Sequence, residues 1–380
     1  MRNRSHTVLL SGMLVALTVV CGAQAAKAPA QTPAKGAPAR AAATPARTTD
    51  GHPDFQGLYD VATVTPLERP AEARGRPVLT DEEAAAAEAY DRQREAKDAA
   101  PLSGDRGAPS VGGERVATKT WLEAVEQFAG GGTGGYNRFW IEQGREFIIV
   151  DGQKRSSILI DPPDGKMPPM KPEARQRIAR LRAAAVDPSA GEAASAGPPG
   201  AFDGPESRPL AERCLLGFNS TAGPPALPNY FYNNFKQIVQ TRDTVLILNE
   251  MVHDARVVRI GGKHLPPTIR RWMGDSIGWW EGDTLVVDTT NFTAKTQFSG
   301  SGDQLHVVER IKRVDANTLL YRFTIEDPST WDRAWTGEYP WKATKENLYE
   351  YACHEGNYAM TNMLKGARLK EAEDAAKKQQ

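Results

Sequence analysis

Residues 305–325 read LHVVERIKRVDANTLLYRFTI, and this stretch has the clearest β-strand pattern of the chain. Every second residue of its last part is large and apolar: Leu319, Tyr321, Phe323 and Ile325. Alternation with a period of two places such residues on one face of a β-strand. The residues Asp315-Ala316-Asn317 are typical of a tight turn. The stretch is therefore a β-hairpin with one apolar face.

The register of this hairpin places a charge on its apolar face. A three-residue turn at 315–317 puts Glu309 opposite Phe323. A shift by one residue would put Arg310 there instead and would remove Ile311 from the apolar face. A buried charge is costly unless it is paired. Arg256 is the most economical partner for Glu309, because a planar guanidinium can pair with a carboxylate through two hydrogen bonds.

The second half of the chain repeats this pattern of short strands. Runs rich in β-branched residues follow one another with short connections, at 237–240, 244–249, 256–260, 284–290, 305–314 and 318–325. Consecutive strands joined by hairpins form an antiparallel meander, which commonly closes into a barrel or packs as two sheets. The sequence predicts a mainly β fold, either a lipocalin-like barrel or a two-sheet sandwich, with a few peripheral helices.

Helices and loops are expected mainly in the first half. Thr80-Asp81-Glu82-Glu83 is a capping box, which predicts a helix from there to about Lys97. Weaker patterns predict a short strand within 51–59, a helix at 121–128, a glycine-rich turn at 130–135, strands at 138–141, 146–151 and 156–161, and a charged helix at 172–185. A single β-rich domain is expected at 51–368, with a mobile insertion at 187–209 and a charged tail at 369–380.

The N-terminus predicts export. A basic start precedes an apolar stretch at 8–20, and Ala23-Gln24-Ala25 has the small-x-small pattern that signal peptidase cuts. The apolar stretch is shorter than the roughly 20 residues of a permanent membrane helix. We expect a signal peptide at 1–25, a disordered Ala/Pro-rich tether at 26–50, and a mature protein in the periplasm or outside the cell.

The charge balance excludes some partners. The chain has 47 basic and 47 acidic residues, and the body is mildly acidic because the signal peptide and the tether are basic. Nucleic acid binding requires clustered Lys and Arg, so no nucleic acid partner is expected. Later segments lack long uncharged apolar runs, and we expect no transmembrane segment in the mature chain.

The mature chain keeps two of the three cysteines, Cys214 and Cys353. Two thiols in an oxidising compartment most simply form one disulfide. The alternative is a pair of free buried thiols, and a metal pair fits the spacing less well. Cys21 lies in the signal peptide, where the preceding Val20 disfavours a lipid anchor.

Three strings of the body carry a resemblance: ILNEMVHDAR at 247–256, WEGDTLVVDTTNF at 280–292 and LYEYACHEGNY at 348–358. They resemble a group of uncharacterised secreted bacterial proteins, and the resemblance spans roughly 51–368. It implies no particular activity. Gly57-Leu58-Tyr59 is also faintly similar to the Gly-x-Trp that opens lipocalin barrels, with Tyr where Trp is expected.

Polar residues concentrate in these strings. An Asp next to a His can orient the imidazole and raise its basicity, so His253 and Asp254 are a candidate general base. Adjacent strand residues point to opposite faces, so this arrangement requires a turn or a bulge at these two positions. The alternative is a hairpin corner whose Asp254 and Arg256 are satisfied locally.

The other strings complete a candidate site. Asp288 lies in mid-strand on the same face as Trp279, and a disulfide at Cys353 would fix the third string against the body. We predict catalytic roles for His253, Asp254, Glu309 and His354, and ligand contacts from Arg256, Asp288, Asn291, Glu355, Trp279 and Trp280. Six of these residues are expected to converge on one cavity: His253, Asp254, Arg256, Asp288, Glu309 and His354.

The expected function follows from this site. The eight tryptophans either pack the core or line a cavity for a flat or apolar ligand. The histidine spacing demands neither a metal nor a cofactor. We expect binding of a small, partly apolar molecule in a barrel cavity. The alternatives are a hydrolase, lyase or isomerase in that cavity, and a structural or envelope-interaction role.

Overall fold

The computed structural model describes residues 46–98, 142, 144–186, 202–217, 223–229, 232–296 and 298–378. The predicted signal peptide, most of the tether, the helix at 121–128, the glycine-rich turn and the strand at 138–141 lie outside the described residues. Most of the predicted insertion lies outside as well, and residues 205–207 of its described part form a short 3-10 turn.

The described chain is mainly β, as predicted. Its strands are β1 (Gly57–Asp60), β2 (Ile149–Val150), β3 (Gln153–Lys154), β4 (Leu159–Asp161), β5 (Phe235–Gln240), β6 (Thr244–Asn249), β7 (Ala255–Ile260), β8 (Asp275–Glu281), β9 (Thr284–Thr290), β10 (His306–Asp315), β11 (Thr318–Glu326) and β12 (Trp335–Ala343). Nine strands close into a barrel in the order β1-β5-β6-β7-β8-β9-β10-β11-β12, with β1 pairing back onto β12. Strand β4 pairs with β12 outside the ring, and β2 and β3 form a small separate sheet.

One pair of neighbours in the ring is parallel. Strands β7 and β8 run in the same direction, whereas the other neighbouring pairs are antiparallel. Each antiparallel neighbour reverses the strand direction, so a closed ring with an odd number of strands requires at least one parallel pair. The connection at 261–274 makes this possible by returning the chain to the end of the barrel where β7 began. We call this end the rim.

The inward-facing side chains of the ring form a packed core. None of the following is more than 1% exposed: Ile247, Val258, Leu285, Val287, Ile311, Phe323, Trp335, Tyr339 and Trp341. A cavity large enough for a ligand would leave accessible surface on the side chains around it. The aromatic residues therefore fill the barrel, and the cavity expected among them is not present at these side chains.

A loop also enters the barrel. The amide of Ala226 donates to the Tyr321 hydroxyl at 2.9 Å, and the Tyr339 hydroxyl donates to the carbonyl of Ala226. Ala226 is 1% exposed and belongs to the same core. The loop gives two buried tyrosine hydroxyls the hydrogen-bond partners that burial demands.

The described residues include three helices, α1 (Asp81–Asp98), α2 (Pro172–Val186) and α3 (Tyr358–Lys378). The predicted capping box begins α1, with the amides of Thr80 and Glu83 each bonded to the other residue's side chain, at 3.0 and 3.1 Å. Helix α3 includes most of the segment expected to be a charged tail. Among the described helices, none has the length and apolar composition needed to cross a membrane.

The predicted disulfide between Cys214 and Cys353 is confirmed, with α-carbons 5.7 Å apart. It closes a loop with a sequence separation of 139 residues. Loop-closure entropy for a loop of this size suggests a stabilisation on the order of 5 kcal/mol. The bond fixes the third sequence string against the segment at 202–217.

Candidate functional site

A buried ion pair between Arg256 and Glu309 lies inside the barrel. The guanidinium donates through Nη1 to Oε2 and through Nη2 to Oε1, the latter at 2.7 Å. The Tyr321 hydroxyl donates to the same Oε1 at 2.6 Å. Glu309 lies opposite Phe323 in the β10–β11 register. The sequence-based prediction of this pair and of its register is confirmed.

This ion pair is almost completely buried, with Arg256 4% and Glu309 0% exposed. Burial alone would lower the pKa of Arg256, but the Glu309 charge and hydrogen bonds outweigh it and raise that pKa, so the guanidinium stays charged. Burial, and then the Glu309 charge, raise the pKa of Tyr321. Glu309 is 0% exposed and both of its oxygens are engaged, so its place in the structure is that of a core residue.

A pocket of about 620 Å³ opens at the rim. We call it the rim pocket and define it by Asp254, Arg256, Arg270, Arg271, Trp272 and Met273. The strand pairing explains its position, because the parallel ladder of β7 and β8 begins only at Val258 and Ser276. The residues just before this ladder, at 254–257 and 270–274, line the pocket.

Gly274 brings the chain from the pocket wall into β8. Its φ of +70° is in the left-handed region, and a Cβ there would lie 2.6 Å from the carbonyl oxygen of Thr290. Only glycine fits this close approach without a backbone shift. The position of Arg271, Trp272 and Met273 beside the pocket therefore depends on this residue.

The three arginines of the rim pocket differ in their partners. Arg256 is bound to Glu309 inside the barrel. Arg270 donates to the carbonyls of Phe292 and Asp303, at 2.9 and 2.7 Å, and its Nη2 lies 3.6 Å from the Asp303 carboxylate. For Arg271, which is exposed, the described residues provide no hydrogen-bond or ion-pair partner for the guanidinium. Arg271 is thus the cation of the pocket that is free to meet a ligand.

A strained turn positions His253 and Asp254. Val252 and His253 have φ of +65° and +46°, and a β-branched residue such as Val252 rarely adopts this conformation. The turn that the pairing of these two polar residues requires is therefore present. Burial raises the pKa of Asp254, a wall residue of the rim pocket, while the His253 charge opposes that shift.

The third sequence string lies beside this turn. Nδ1 of His253 is 3.2 Å from the carbonyl oxygen of Tyr351. His354 and Glu355 are exposed on the same segment, close to the disulfide at Cys353. The first and third strings are therefore neighbours at the rim, with the His354 side chain turned to the surface.

Residues of the second string lie elsewhere. Asp288 is on the outer face of β9, while its neighbour Val287 faces the core opposite Glu309. Trp279 is 38% exposed, and Trp280 stacks on His52 at 4.4 Å near the barrel end opposite the rim. Asn291 donates to the carbonyl of Leu265 at 2.9 Å. The expected convergence of Asp288 with Glu309 does not occur, because successive strand residues face opposite sides of a barrel wall and Glu309 lies opposite Val287, next to Asp288.

Asp288 instead belongs to a chain of alternating carboxylates and imidazoles on the outer face. We call this chain the histidine ladder, and its members are Asp275, His264, Asp288, His306 and Glu326. His264 lies 3.2 Å from Asp275 and 3.0 Å from Asp288, one ring nitrogen to each. His306 lies 3.2 Å from Asp288 and 3.3 Å from Glu326 in the same manner. Each imidazole can donate to both neighbours only when it carries two protons.

The ladder shifts the pKa values of its members. Hydrogen bonding to Asp288 raises the pKa of His306 against the opposing effect of burial. Burial would raise the pKa of Asp275, but hydrogen bonds from Arg259, the Leu265 amide and His264 lower it to about 2. In the part of the chain that the structure describes, no group of three or more His, Cys, Asp or Glu residues could hold a metal ion.

A second polar group is buried inside the barrel near the rim. Lys236 faces Asn249 across the β5–β6 pair, and the two residues are 0% and 1% exposed. Burial lowers the pKa of Lys236 to about 8. Among the described residues, its Nζ and both side-chain amide atoms of Asn249 have no hydrogen-bond partner. Neither residue lines the rim pocket.

Several of these residues were missed by the sequence analysis. Arg270, Arg271, Trp272 and Met273 lie in the connection at 261–274, which carries no strand pattern. In this segment two adjacent arginines are followed by two large apolar residues. A loop that combines positive charge with apolar side chains is typical of a binding site, and this pattern could have been recognised in the sequence. His264 lies in the same connection, and only the closed barrel brings it to Asp288.

Comparisons of the chain with protein-family models, with curated proteins and with solved structures find no match.

Proposed function

We propose that this protein binds a small anionic molecule with an apolar portion in the rim pocket. The observation that carries this proposal is the guanidinium of Arg271, which has no partner among the described residues, in a pocket that Trp272 and Met273 also line. Arginine recognises carboxylates and phosphates through paired hydrogen bonds. The indole and thioether beside it supply apolar contact surface.

The size of the pocket supports this proposal. Sites for small molecules commonly have volumes of about 300–1,000 Å³ and combine apolar walls with a few placed polar groups. The rim pocket, at about 620 Å³, lies within this range. The barrel interior offers no comparable place at the side chains that fill it, so the ligand expected inside the barrel is assigned to its end.

We further propose that the protein works in the periplasm or outside the cell. The Cys214–Cys353 disulfide supports an oxidising compartment, and the sequence pattern at 1–25 supports export. A binder of small molecules in that location would act before or after their passage across the envelope.

One observation favours an enzyme as the second candidate. Asp254 has a raised pKa and adjoins His253 at the wall of the pocket, which are the properties of a general acid or base. A lyase or isomerase acting on the bound anion would use Asp254 for proton transfer. Turnover of a bound ligand, lost in Asp254→Asn with binding retained, would establish this candidate over simple binding.

The test is titration calorimetry with four probes: benzoate, decanoate, inorganic phosphate and neutral benzamide. We expect at least one anion to bind and benzamide not to bind. Arg271→Gln should weaken anion binding about tenfold or more, the size expected for one charge-assisted contact. The matched control is Arg242→Gln, an exposed arginine in the turn at the opposite barrel end. Equal loss in both variants, or binding of none of the anions, would overturn the proposal.

A further inference from the structure

The rim pocket contains groups of both signs that form no ion pair with any described residue. Asp254 and Arg271 line the same pocket, yet no ion pair within 4.0 Å joins them. The other two arginines are already committed, Arg256 to Glu309 and Arg270 to the Asp303 segment. A carboxyl group and a guanidinium therefore remain available, separated from each other within one pocket.

The Asp254 carboxyl group has few favourable contacts. Burial raises its pKa, and the opposing contributions come from the His253 charge and the Ala255 amide. A ligand that closes the pocket removes more water from this carboxyl. A purely anionic ligand would therefore remove water from the Asp254 carboxyl group without replacing its hydrogen bonds, which costs binding free energy. A ligand with a hydrogen-bond donor or a positive charge would offset this cost.

The apolar part of the wall lies beside both charges. Trp272 is 36% exposed and Met273 half-buried, and Val257 also lines the pocket. These side chains can accept a side chain of moderate size. The pocket thus presents an anion-accepting group, a cation-accepting group and an apolar surface.

We propose that the ligand is a zwitterion of the amino-acid class, a free amino acid or a short peptide, whose carboxylate pairs with Arg271 and whose ammonium pairs with Asp254. This inference rests on the proposed function and names its ligand class. The side chain of the ligand packs on Trp272 and Met273. Discrimination against simple carboxylic acids arises because they leave Asp254 without a partner.

The experiment measures binding of the twenty free amino acids, of alanyl dipeptides, and of 3-phenylpropanoate and 4-methylpentanoate by titration calorimetry. The last two are phenylalanine and leucine without the ammonium group. We expect at least one zwitterion to bind and its deaminated analogue to bind at least about tenfold more weakly, the size of one charge-assisted contact.

Variants distinguish the role of each charge. Asp254→Asn should weaken zwitterion binding about tenfold and leave the deaminated acid unchanged or tighter, whereas Arg271→Gln should weaken both. Asp243→Asn, an exposed aspartate in the turn at the opposite barrel end, is the matched control and should have no effect. Thermal unfolding of each variant shows that the fold is retained.

The outcomes separate this inference from the proposed function. If deaminated acids bind as well as the zwitterions and Asp254→Asn has no effect, the zwitterion inference is wrong and anion binding stands. If neither zwitterions nor acids bind, both are wrong. If a zwitterion binds and Arg271→Gln does not weaken its binding, the role of Arg271 is wrong and both proposals fail.

Discussion

The inner and outer faces of the barrel wall each carry a charged cluster, and the two clusters behave differently. Glu309 on the inner face is buried and is bound by Arg256 and Tyr321. Asp288 on the outer face, almost opposite in the β9–β10 ladder, joins two histidines that remain partly exposed. Charged residues at neighbouring positions of the same strand pair therefore form either a buried ion pair, on the inner face, or a partly exposed cluster of titratable groups, on the outer face.

Breaking the inner pair should have the largest effect. Glu309→Gln leaves a buried guanidinium without its counter-charge, and we expect the free energy of unfolding to fall by about 3–5 kcal/mol. Urea denaturation measures this change. The double variant Arg256→Met, Glu309→Leu removes both charges and should recover most of the loss, which separates the cost of an unpaired charge from a loss of packing.

Breaking the ladder at its centre should cost less. Asp288→Asn removes the carboxylate that both histidines share, and we expect a loss of about 1 kcal/mol because the groups are partly exposed. The same substitution should lower the pKa of His306, which nuclear magnetic resonance can follow through the imidazole protons. An unchanged His306 pKa would show that the ladder does not operate as a coupled unit.

The ladder should also give stability a pH dependence. The folded pKa of His306 is raised above its ordinary value of 6.5, so its stabilisation is fully present below pH 6.5 and is lost as the pH rises through the folded pKa. The difference in unfolding free energy between the wild type and His306→Gln should therefore be larger at pH 5.5 than at pH 9, by less than about 1 kcal/mol given the exposure of the pair. A difference that does not change with pH contradicts this.

An ordinary surface pair on the same outer face should show the smallest effect. Arg310 and Glu281 form a 2.6 Å ion pair in which both side chains are more than 40% exposed. Glu281→Gln should change the free energy of unfolding by less than about 0.5 kcal/mol, because exposed pairs contribute little. This variant is the reference against which the ladder is compared, and a loss as large as that of Asp288→Asn would remove the distinction between them.

The sequence predicted the parts of the fold that depend on local alternation. The hairpin at 305–325 specified its own register, because only one pairing placed Ile311 with the other apolar residues. The Arg256–Glu309 pair followed from that register by charge compensation. The capping box at Thr80 and the cysteine pairing were also predictable, since they depend on local chemistry and on the compartment.

Other parts could not be read from local patterns. Strand β8 contains Gly278 between polar and aromatic residues, and β12 contains Pro340, which is unusual within a sheet. One edge of β12 pairs with β11. Among the described residues, the other edge pairs with β4 at 336–337 and with β1 at 342–343, so Pro340 interrupts no strand pairing on that edge. The rim pocket lies beside the one parallel pair of the ring, β7 and β8. A closed ring with an odd number of strands requires a parallel pair, and this requirement is a property of the whole ring rather than of any short motif.

The pairing of β1 with β12 has a consequence for how the chain folds. Tyr59 pairs with Ala343, so the ring cannot close until the chain has been synthesised as far as residue 343. Contacts so far apart in sequence form slowly, and until then the first and last strands keep unpaired edges that can join those of another molecule. A chain that stops before residue 335 lacks β12 altogether and should aggregate rather than populate a smaller folded unit.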